Sequence, residues 1–192
     1  MKKILTAFLF FLLISSTSFA RPSKDITLGV MGMGNIQLVE TKTNLDPGPG
    51  GGVYFDYRFN QRFSMTVDAW ATTHDGTGRS DGDNSIQILG IPTATIKVYF
   101  LDDESSKWDP YAGFGVGAYA MTEGSIPNGS NGVGLGARLD VGFDYHITSV
   151  ISAGFAGVFH SAGIITSLDG GSGSSQAIIP FSLVAKLGFH LF

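Results

Sequence analysis

The sequence has no cysteine among its 192 residues. This excludes disulfide bonds, thiol chemistry and the metal sites that depend on cysteine ligands. Charged residues are also few, at 15% of the chain, and the formal net charge of −4 gives no reason to expect a nucleic-acid partner. After the N-terminal segment, no uninterrupted apolar run approaches the roughly 20 residues that a membrane helix needs.

The first 20 residues are typical of a secretory signal peptide. Lys2 and Lys3 precede an apolar run from Ile4 to Ile14, and Ser18 to Ala20 forms a small-x-small cleavage site. Removing 20 of 192 residues leaves 172, and the loss of two lysines changes the formal net charge from −4 to −6. We expect residues 1–20 to be the signal peptide and residues 21–192 to form a single domain.

The stretch from Gly132 to Ile147 alternates without a break between two kinds of residue. Every odd position is apolar, whereas the even positions carry glycine or polar residues, including Arg138, Asp140 and Asp144. A period of two places the apolar side chains on one face of a β-strand and the charged ones on the other. Charges separated by glycine suit a crowded, wet interior, so the pattern is typical of a transmembrane barrel strand.

The composition favours the same interpretation. The mean hydropathy of +0.19 is high for a soluble protein, and the chain contains 27 glycines and 12% aromatic residues. A secreted chain that is hydrophobic on average and lacks a spanning helix has one other way to enter a membrane, which is the closed barrel.

Alternating segments recur along the chain and predict eight strands. Their predicted ranges are 26–38, 53–59, 63–71, 86–100, 110–121, 132–147, 150–160 and 179–191. Ile86, Ile88 and Ile96 share the apolar phase of the fourth strand, opposite the inward-facing Lys97. Pro92 interrupts this strand and predicts a bulge there, and the proline- and glycine-rich run from Glu40 to Gly51 is predicted to hold no ladder. Long connections after the odd strands alternate with shorter ones. The fold class is therefore an all-β, eight-stranded, antiparallel up-and-down transmembrane barrel, with long loops outside and both termini in the periplasm.

The inward phase of these strands carries equal numbers of acids and bases. We expect a lumenal charge network of Asp56, Arg58, Asp68, Lys97, Arg138, Asp140, Asp144 and Lys186. Side chains fill the interior of an eight-stranded barrel, so the charges must pair with one another or with trapped water. This predicts a salt-bridge network that plugs the lumen, and a gated proton or ion path through the same residues remains the alternative.

Aromatic residues cluster at predicted strand ends on the short-turn side. We expect a membrane-interface girdle of Tyr57, Phe59, Phe63, Phe100, Trp108, Tyr111, Tyr145 and Phe192.

No pattern predicts catalysis, a cofactor or a metal. The four histidines lack metal-ligand spacing, and the Gly-x-Gly repeats precede no helix that could complete a phosphate site. His160 and Ser161 resemble the His and Ser neighbourhood of the outer-membrane lipid A deacylases, but the His-x-Ser spacing of that family is absent. We therefore expect no catalytic, cofactor-binding or metal-binding residue, and no enzyme.

Several passages carry a family resemblance. They are YRFNQRFS at 57–64, KVYF at 97–100, KWDPYAGFGVGAYA at 107–120 and the terminal Phe192. Together with the signal peptide they resemble the small outer-membrane β-barrels of Gram-negative bacteria, including the OmpA-type, OmpW-type and opacity-type proteins. The resemblance covers the whole mature chain.

This resemblance implies export through the periplasm to the outer membrane and contact with its lipids and lipopolysaccharide. It also implies insertion by the barrel-assembly machinery, for which Phe192 would be the signal. One departure is that the apolar phase ends at Leu191, which leaves an interfacial belt residue as the alternative role for Phe192.

The sequence leaves three functions open. The first is a monomeric barrel with a structural or passive, surface-binding role. The second is an OmpW-like conduit for a small hydrophobic ligand, for which Met31, Met33, Leu89 and Ile91 would face the lumen. The third is a hydrolase similar to the lipid A deacylases.

Overall fold

The computed structural model describes residues 25–40, 45–75, 85–101, 105–123, 131–166 and 174–191. The described residues form eight antiparallel strands, each hydrogen-bonded to its sequence neighbours, and the last strand pairs with the first to close a barrel. The strands are β1 (Asp25–Glu40), β2 (Gly48–Arg58), β3 (Phe63–His74), β4 (Ile86–Tyr99), β5 (Trp108–Glu123), β6 (Asn131–His146), β7 (Ile151–Thr166) and β8 (Ser174–Leu191). The predicted fold class is confirmed.

Every strand is long enough to cross a bilayer. The shortest, β2, has 11 residues and the longest, β8, has 18, whereas a tilted membrane strand needs about 9–11. In the described part of the chain, no helix has the length and apolar character needed to cross a membrane. We call the end with the connections 59–62, 100–107 and 147–150 the turn end, and the opposite end the loop end.

The strands reach further toward the loop end than the sequence predicted. The prediction that the run around Pro49 holds no ladder is wrong, because β2 begins at Gly48 and Pro49 pairs with Gly34 of β1. Pairing of β2 with β3 begins only at Gly50. The backbone N–H that proline lacks is therefore not needed for a hydrogen bond to β3 at Pro49. The predicted loop after position 160 is likewise too long, since β7 continues to Thr166.

The bulge predicted at Pro92 is confirmed by a register shift between Gly90 and Thr93 in the pairing of β4 with β5. It changes which residues face inward, because an extra residue reverses the alternation that follows. Ile88 is 0% exposed and faces the lumen, whereas Ile91 is 55% exposed on the outside.

Two predictions about β4 are therefore wrong. Ile86 and Ile88, predicted to share the outward face of Ile96, are buried inside, and Leu89 and Ile91 do not face the lumen.

Candidate functional site

The inward faces of the strands make the lumen the candidate site. On β6, Arg138 and Asp140 are 7% and 2% exposed, whereas Leu139 and Val141 are 53% and 67% exposed. In a membrane barrel the exposed apolar side chains contact lipid and the alternate residues fill the interior. Charged side chains from different strands thus meet in one enclosed space.

Ion pairs connect non-adjacent strands across the turn half of the lumen. They are Arg58 Nη1 to Asp109 Oδ2 at 2.6 Å, Lys97 Nζ to Asp56 Oδ1 at 2.8 Å and Lys186 Nζ to Asp144 Oδ1 at 2.7 Å. Ion pairs that are held this closely and removed from water are strongly coupled, because losing one partner leaves an uncompensated buried charge. They tie together strands that are two or three apart around the barrel.

Arg138 occupies the middle of the lumen and joins two carboxylates. Its Nε and Nη2 donate to the two oxygens of Asp140 at 2.7 and 2.8 Å. Its Nη1 donates to Asp68 Oδ2 at 2.5 Å and to Thr93 Oγ1 at 2.9 Å. The planar guanidinium can serve both acids at once because its donors form a rigid fork.

Tyrosine rings surround the cations in the turn half. The guanidinium carbon of Arg58 lies 4.0 Å from the centre of the Tyr99 ring, and Lys186 Nζ donates to the hydroxyl of Tyr111 at 2.9 Å. The rings of Tyr99 and Tyr111 meet edge to face at 5.6 Å. Aromatic faces stabilise cations by cation–π attraction. The rings therefore fill the space around the cations and also stabilise their charges.

All eight side chains of the predicted lumenal network lie inside the barrel, and the structure divides them among these groups. Two further carboxylates, not predicted from the sequence, face the lumen. Asp109 pairs with Arg58 but lies in a passage whose composition predicted a turn. Asp25 pairs with His190 and precedes the predicted start of β1. Each carboxylate lies two positions before an inward-facing residue, Asp109 before Tyr111 and Asp25 before Thr27. This spacing of two was the signal in the sequence that could have identified them.

The loop half of the lumen holds a cluster of apolar side chains beside buried polar ones such as Asn35, Thr72 and His74. Its buried side chains include Trp70, Ile88, Tyr119, Ile164 and Ile178. The ring of Trp70 lies 6.1 Å from that of Tyr119, centre to centre. We call this set the apolar layer. It gives the lumen two chemically different halves.

The predicted aromatic girdle includes one error. Tyr111 is 1% exposed and lies inside the lumen, because it shares its parity with the inward-facing Gly113. The outward-facing members Phe59, Phe63, Phe100 and Trp108 are 40%, 42%, 60% and 53% exposed. Tyr57 and Tyr145 are half-buried, and Phe192 lies outside the described residues. Trp108 contacts Tyr145 with ring centres 5.1 Å apart.

His160 and Ser161 do not form a joint site. His160 faces inward, is 2% exposed and has its Nδ1 3.0 Å from the Tyr119 hydroxyl. Ser161 is exposed on the outer face, because consecutive strand residues point to opposite sides. Among the residues that the structure describes, no cluster of three or more His, Asp or Glu side chains could hold a metal ion.

Two small cavities lie among the described residues of the lumen. One cavity of about 20 Å³ lies in the turn half beside Arg58, Asp109 and His190. Another of about 10 Å³ lies near the middle, beside Arg138 and Lys186. A single buried water needs about 10–15 Å³, so these cavities hold one or two waters at most.

Comparisons with solved structures agree with this architecture. The outer membrane protein OprG from Pseudomonas aeruginosa is 16% identical, with a TM-score of 0.63 over 92% of this chain and 99% of that chain. The Neisserial surface protein A is 12% identical, with a TM-score of 0.63 over 88% of this chain and 97% of that chain. The outer membrane protein AlkL, solved in DMPC bilayers, is 12% identical, with a TM-score of 0.55 over 92% of this chain and 94% of that chain. At these identities the likeness shows the fold alone.

Sequence comparisons give the family. No curated protein matches the chain. The family described as "Outer membrane protein beta-barrel domain" matches residues 6–161, which is most of the chain. Together with the closed eight-stranded architecture, this places the protein in the outer membrane of a Gram-negative bacterium. The chain belongs to the outer membrane protein beta-barrel domain family.

Proposed function

We propose that this barrel has a structural or passive, surface-binding role, with its lumen closed by a plug. The plug is the set of ion-paired side chains Asp56, Arg58, Asp68, Lys97, Asp109, Arg138, Asp140, Asp144 and Lys186. The observation that carries the proposal is that each of the four plug cations pairs with a carboxylate on a different strand. An ion moving through the barrel would have to break these pairs in a poorly hydrated space, which is costly.

The surfaces of the barrel then carry its function. Outward side chains such as Leu135 and Val141, at 77% and 67% exposed, suit contact with outer-membrane lipids and lipopolysaccharide. The long connections at the loop end would form the adhesive or binding surface. We infer a monomer inserted by the barrel-assembly machinery, with Phe192 as the assembly signal.

A conduit for a small hydrophobic molecule is the second candidate. The apolar layer favours it, because Ile88, Ile164 and Ile178 provide an apolar lining that a purely ionic lumen would lack. Met31 and Met33 also lie on this lining. The plug lies between this layer and the turn end, so a passenger would have to leave by another route.

Uptake of a fluorescent hydrophobic solute by cells that express the barrel separates the two candidates. The plugged barrel predicts the same uptake as cells without it. A conduit predicts faster uptake that Ala162→Phe removes, because Ala162 is buried in the same hydrophobic cluster as the apolar layer. The matched control is Ala185→Phe, since Ala185 is exposed on the outer face. Faster uptake that only Ala162→Phe abolishes would contradict our proposal.

The proposed role requires no chemistry on lipid A. His160 and Ser161 point to opposite faces, so they cannot act together on one lipid. We expect the mass spectrum of lipid A to be unchanged when cells express the barrel. Loss of an acyl chain from lipid A would instead favour the hydrolase.

A further inference from the structure

At the turn end of the lumen, a serine, a histidine and an aspartate form a continuous hydrogen-bonded row. Nε2 of His190 lies 2.9 Å from Oγ of Ser152, and Nδ1 of the same ring bonds to Oδ2 of Asp25. All three residues are buried. One imidazole thus connects a hydroxyl to a carboxylate, which is the arrangement of base, nucleophile and orienting acid in serine hydrolases.

Closure of the barrel creates this row. β8 lies between β1 and β7, so its residue His190 pairs with Thr27 of β1, while Ser152 of β7 pairs with Gly188 of β8. Asp25 lies two residues before Thr27 and on the same face. The Thr27 hydroxyl lies 3.1 Å from His190 Nδ1 and donates to Asp25 Oδ2 at 3.4 Å. The carboxylate is therefore held beside the ring from two sides.

The partners assign the protons. An ionised carboxylate only accepts hydrogen bonds, so when Asp25 is ionised and the imidazole is neutral, Nδ1 of His190 carries the ring proton and donates a hydrogen bond to Asp25. Nε2 is then free to accept, and the hydroxyl of Ser152 donates to it. This is the protonation state in which an imidazole can remove a proton from serine.

A second hydroxyl faces the same place. A Cβ at Gly188 would lie 2.6 Å from the Tyr54 hydroxyl and 2.9 Å from Oγ of Ser152. Because glycine leaves this space open, the two hydroxyls converge beside it. A phenol can donate to a developing oxyanion, so Tyr54 is placed to stabilise one next to Ser152.

Tyr54, Ser152 and His190 line the cavity of about 20 Å³ at the turn end. Its size admits one or two groups as small as water. This limits an acyl group at Ser152 to about the size of acetyl. A long acyl chain does not fit.

We propose that Ser152, His190 and Asp25 form a serine esterase site, with Tyr54 as oxyanion donor, that accepts short-chain acyl esters at the turn end. This goes beyond the structural role proposed above. It also departs from the expectation that no residue is catalytic. That expectation came from the sequence, which does not show that residues of three strands meet in the barrel.

The reaction balances with water as the only co-reactant. Oγ of Ser152 attacks the ester carbonyl carbon and its proton passes to Nε2 of His190, while Tyr54 donates to the carbonyl oxygen. The ester C–O bond breaks, and the leaving alkoxide takes the proton from Nε2 to become an alcohol. Water then attacks the acyl group and gives a proton to Nε2. Ser152 leaves and recovers that proton, so the products are one alcohol and one carboxylic acid.

Ser64 provides an internal control within the same barrel. It is 0% exposed in the turn half of the lumen, but its hydroxyl donates to Asp56 Oδ1 at 3.1 Å and so has a carboxylate partner. The hydroxyl of Ser64 thus has a carboxylate partner in place of an imidazole that could act as its general base. Ser64 is not among the residues that line the cavity of about 20 Å³, so selective reaction at Ser152 identifies the site. Loss of that reaction in folded His190→Gln reports activation by His190.

The test incubates the refolded barrel in detergent micelles with p-nitrophenyl acetate, whose acyl group has the size that the cavity admits. The reaction is quenched in acid, and acetylation of the peptides that contain Ser152 and Ser64 is measured by digestion and mass spectrometry. We expect labelling at Ser152 to exceed that at Ser64 by at least about tenfold, because general-base catalysis contributes about 10²–10⁴-fold. His190→Gln and Asp25→Asn should remove this excess. Hydrolysis of p-nitrophenyl acetate should fall to the buffer rate in Ser152→Ala.

Each variant is first checked for heat-modifiable gel migration, so that only closed barrels are compared. Equal labelling of Ser152 and Ser64 in the parent would overturn the proposal. So would labelling that survives in folded His190→Gln, or hydrolysis that survives in folded Ser152→Ala. If His190→Gln does not fold, Asp25→Asn at the start of β1 gives the same comparison. The result of this labelling test does not depend on whether the plug blocks ions, because single-channel conductance tests the plug separately.

Discussion

Arg138 on β6 reaches across the lumen to Asp68 on β3, with 2.5 Å between Nη1 and Oδ2. The same guanidinium is bound by both carboxylate oxygens of Asp140 on its own strand. One side chain therefore compensates two buried carboxylates near the centre of the barrel, and its removal would leave both without their main partner.

Arg138→Ala should lower the free energy of unfolding by about 3–5 kcal/mol, the cost of breaking a buried ion pair by removing one partner. Urea unfolding of the barrel in lipid vesicles measures it. The control is Lys107→Ala, because Lys107 is exposed in the 100–107 connection and surface substitutions usually change stability by less than about 0.5 kcal/mol.

Combining Arg138→Ala with Asp68→Ala should recover part of that loss, because the second substitution removes one of the unpaired charges. A double-mutant cycle gives the coupling free energy directly. Strict additivity of the two single substitutions would show that this pair is not coupled.

Leu139→Arg should cost about 2–4 kcal/mol of folding free energy, the range for an arginine at a lipid-facing position near the bilayer midplane. Leu139 is 53% exposed between its partners Phe114 and Phe159. Leu191→Arg is the matched control, since Leu191 is also outward-facing but lies at the turn end, where the cost should fall to about 0–1 kcal/mol. Equal costs at the two depths would argue against a membrane-spanning strand.

Ile88→Ala should be far more costly than Ile96→Ala. Without the bulge at Pro92, both residues would share the outward face. With it, Ile88 is 0% exposed in the lumen and Ile96 is 45% exposed to lipid. Removing a buried isoleucine side chain costs about 2–5 kcal/mol because a cavity remains, whereas lipid can fill the space at Ile96. Small and similar losses of folding free energy at both sites would contradict the bulge and favour a strand on which Ile88 and Ile96 share the outward face.

The folded barrel should migrate differently in detergent gels before and after boiling. A closed barrel leaves no free strand edge from which it can unzip, and here β8 pairs with β1 along most of their length. Identical mobility of boiled and unboiled samples would contradict closure.

The fold could be predicted because its signal is local. The alternation between Leu139 and Asp140 recurs along β6 and fixes which face meets lipid, and the exposures of 53% and 2% follow it. The lumenal charges could be proposed from the same periodicity. Their pairing could not, because Arg138 and Asp68 meet only when β3 and β6 curve toward each other in the closed barrel.

The remaining errors have physical causes. The bulge at Pro92 places Ile88 on the inward face, opposite to the prediction. A proline in the sequence predicts a bulge, but it does not show whether the residues before it or those after it change face. Asp109 lies after a polar passage typical of a turn, although it is the first inward-facing residue of β5. The row of Ser152, His190 and Asp25 depends on the pairing of β8 with both β1 and β7, which only closure supplies.

Single-channel recording in planar bilayers tests the plug most directly. The parent barrel should give no ion-selective conductance steps, because Arg58, Lys97, Arg138 and Lys186 are held in ion pairs. Lys97→Ala, Arg138→Ala and Lys186→Ala should each destabilise the barrel. Steady steps in the parent, whose size or ion selectivity changes in these variants while their unfolding free energies stay the same, would contradict the plug and establish an ion path.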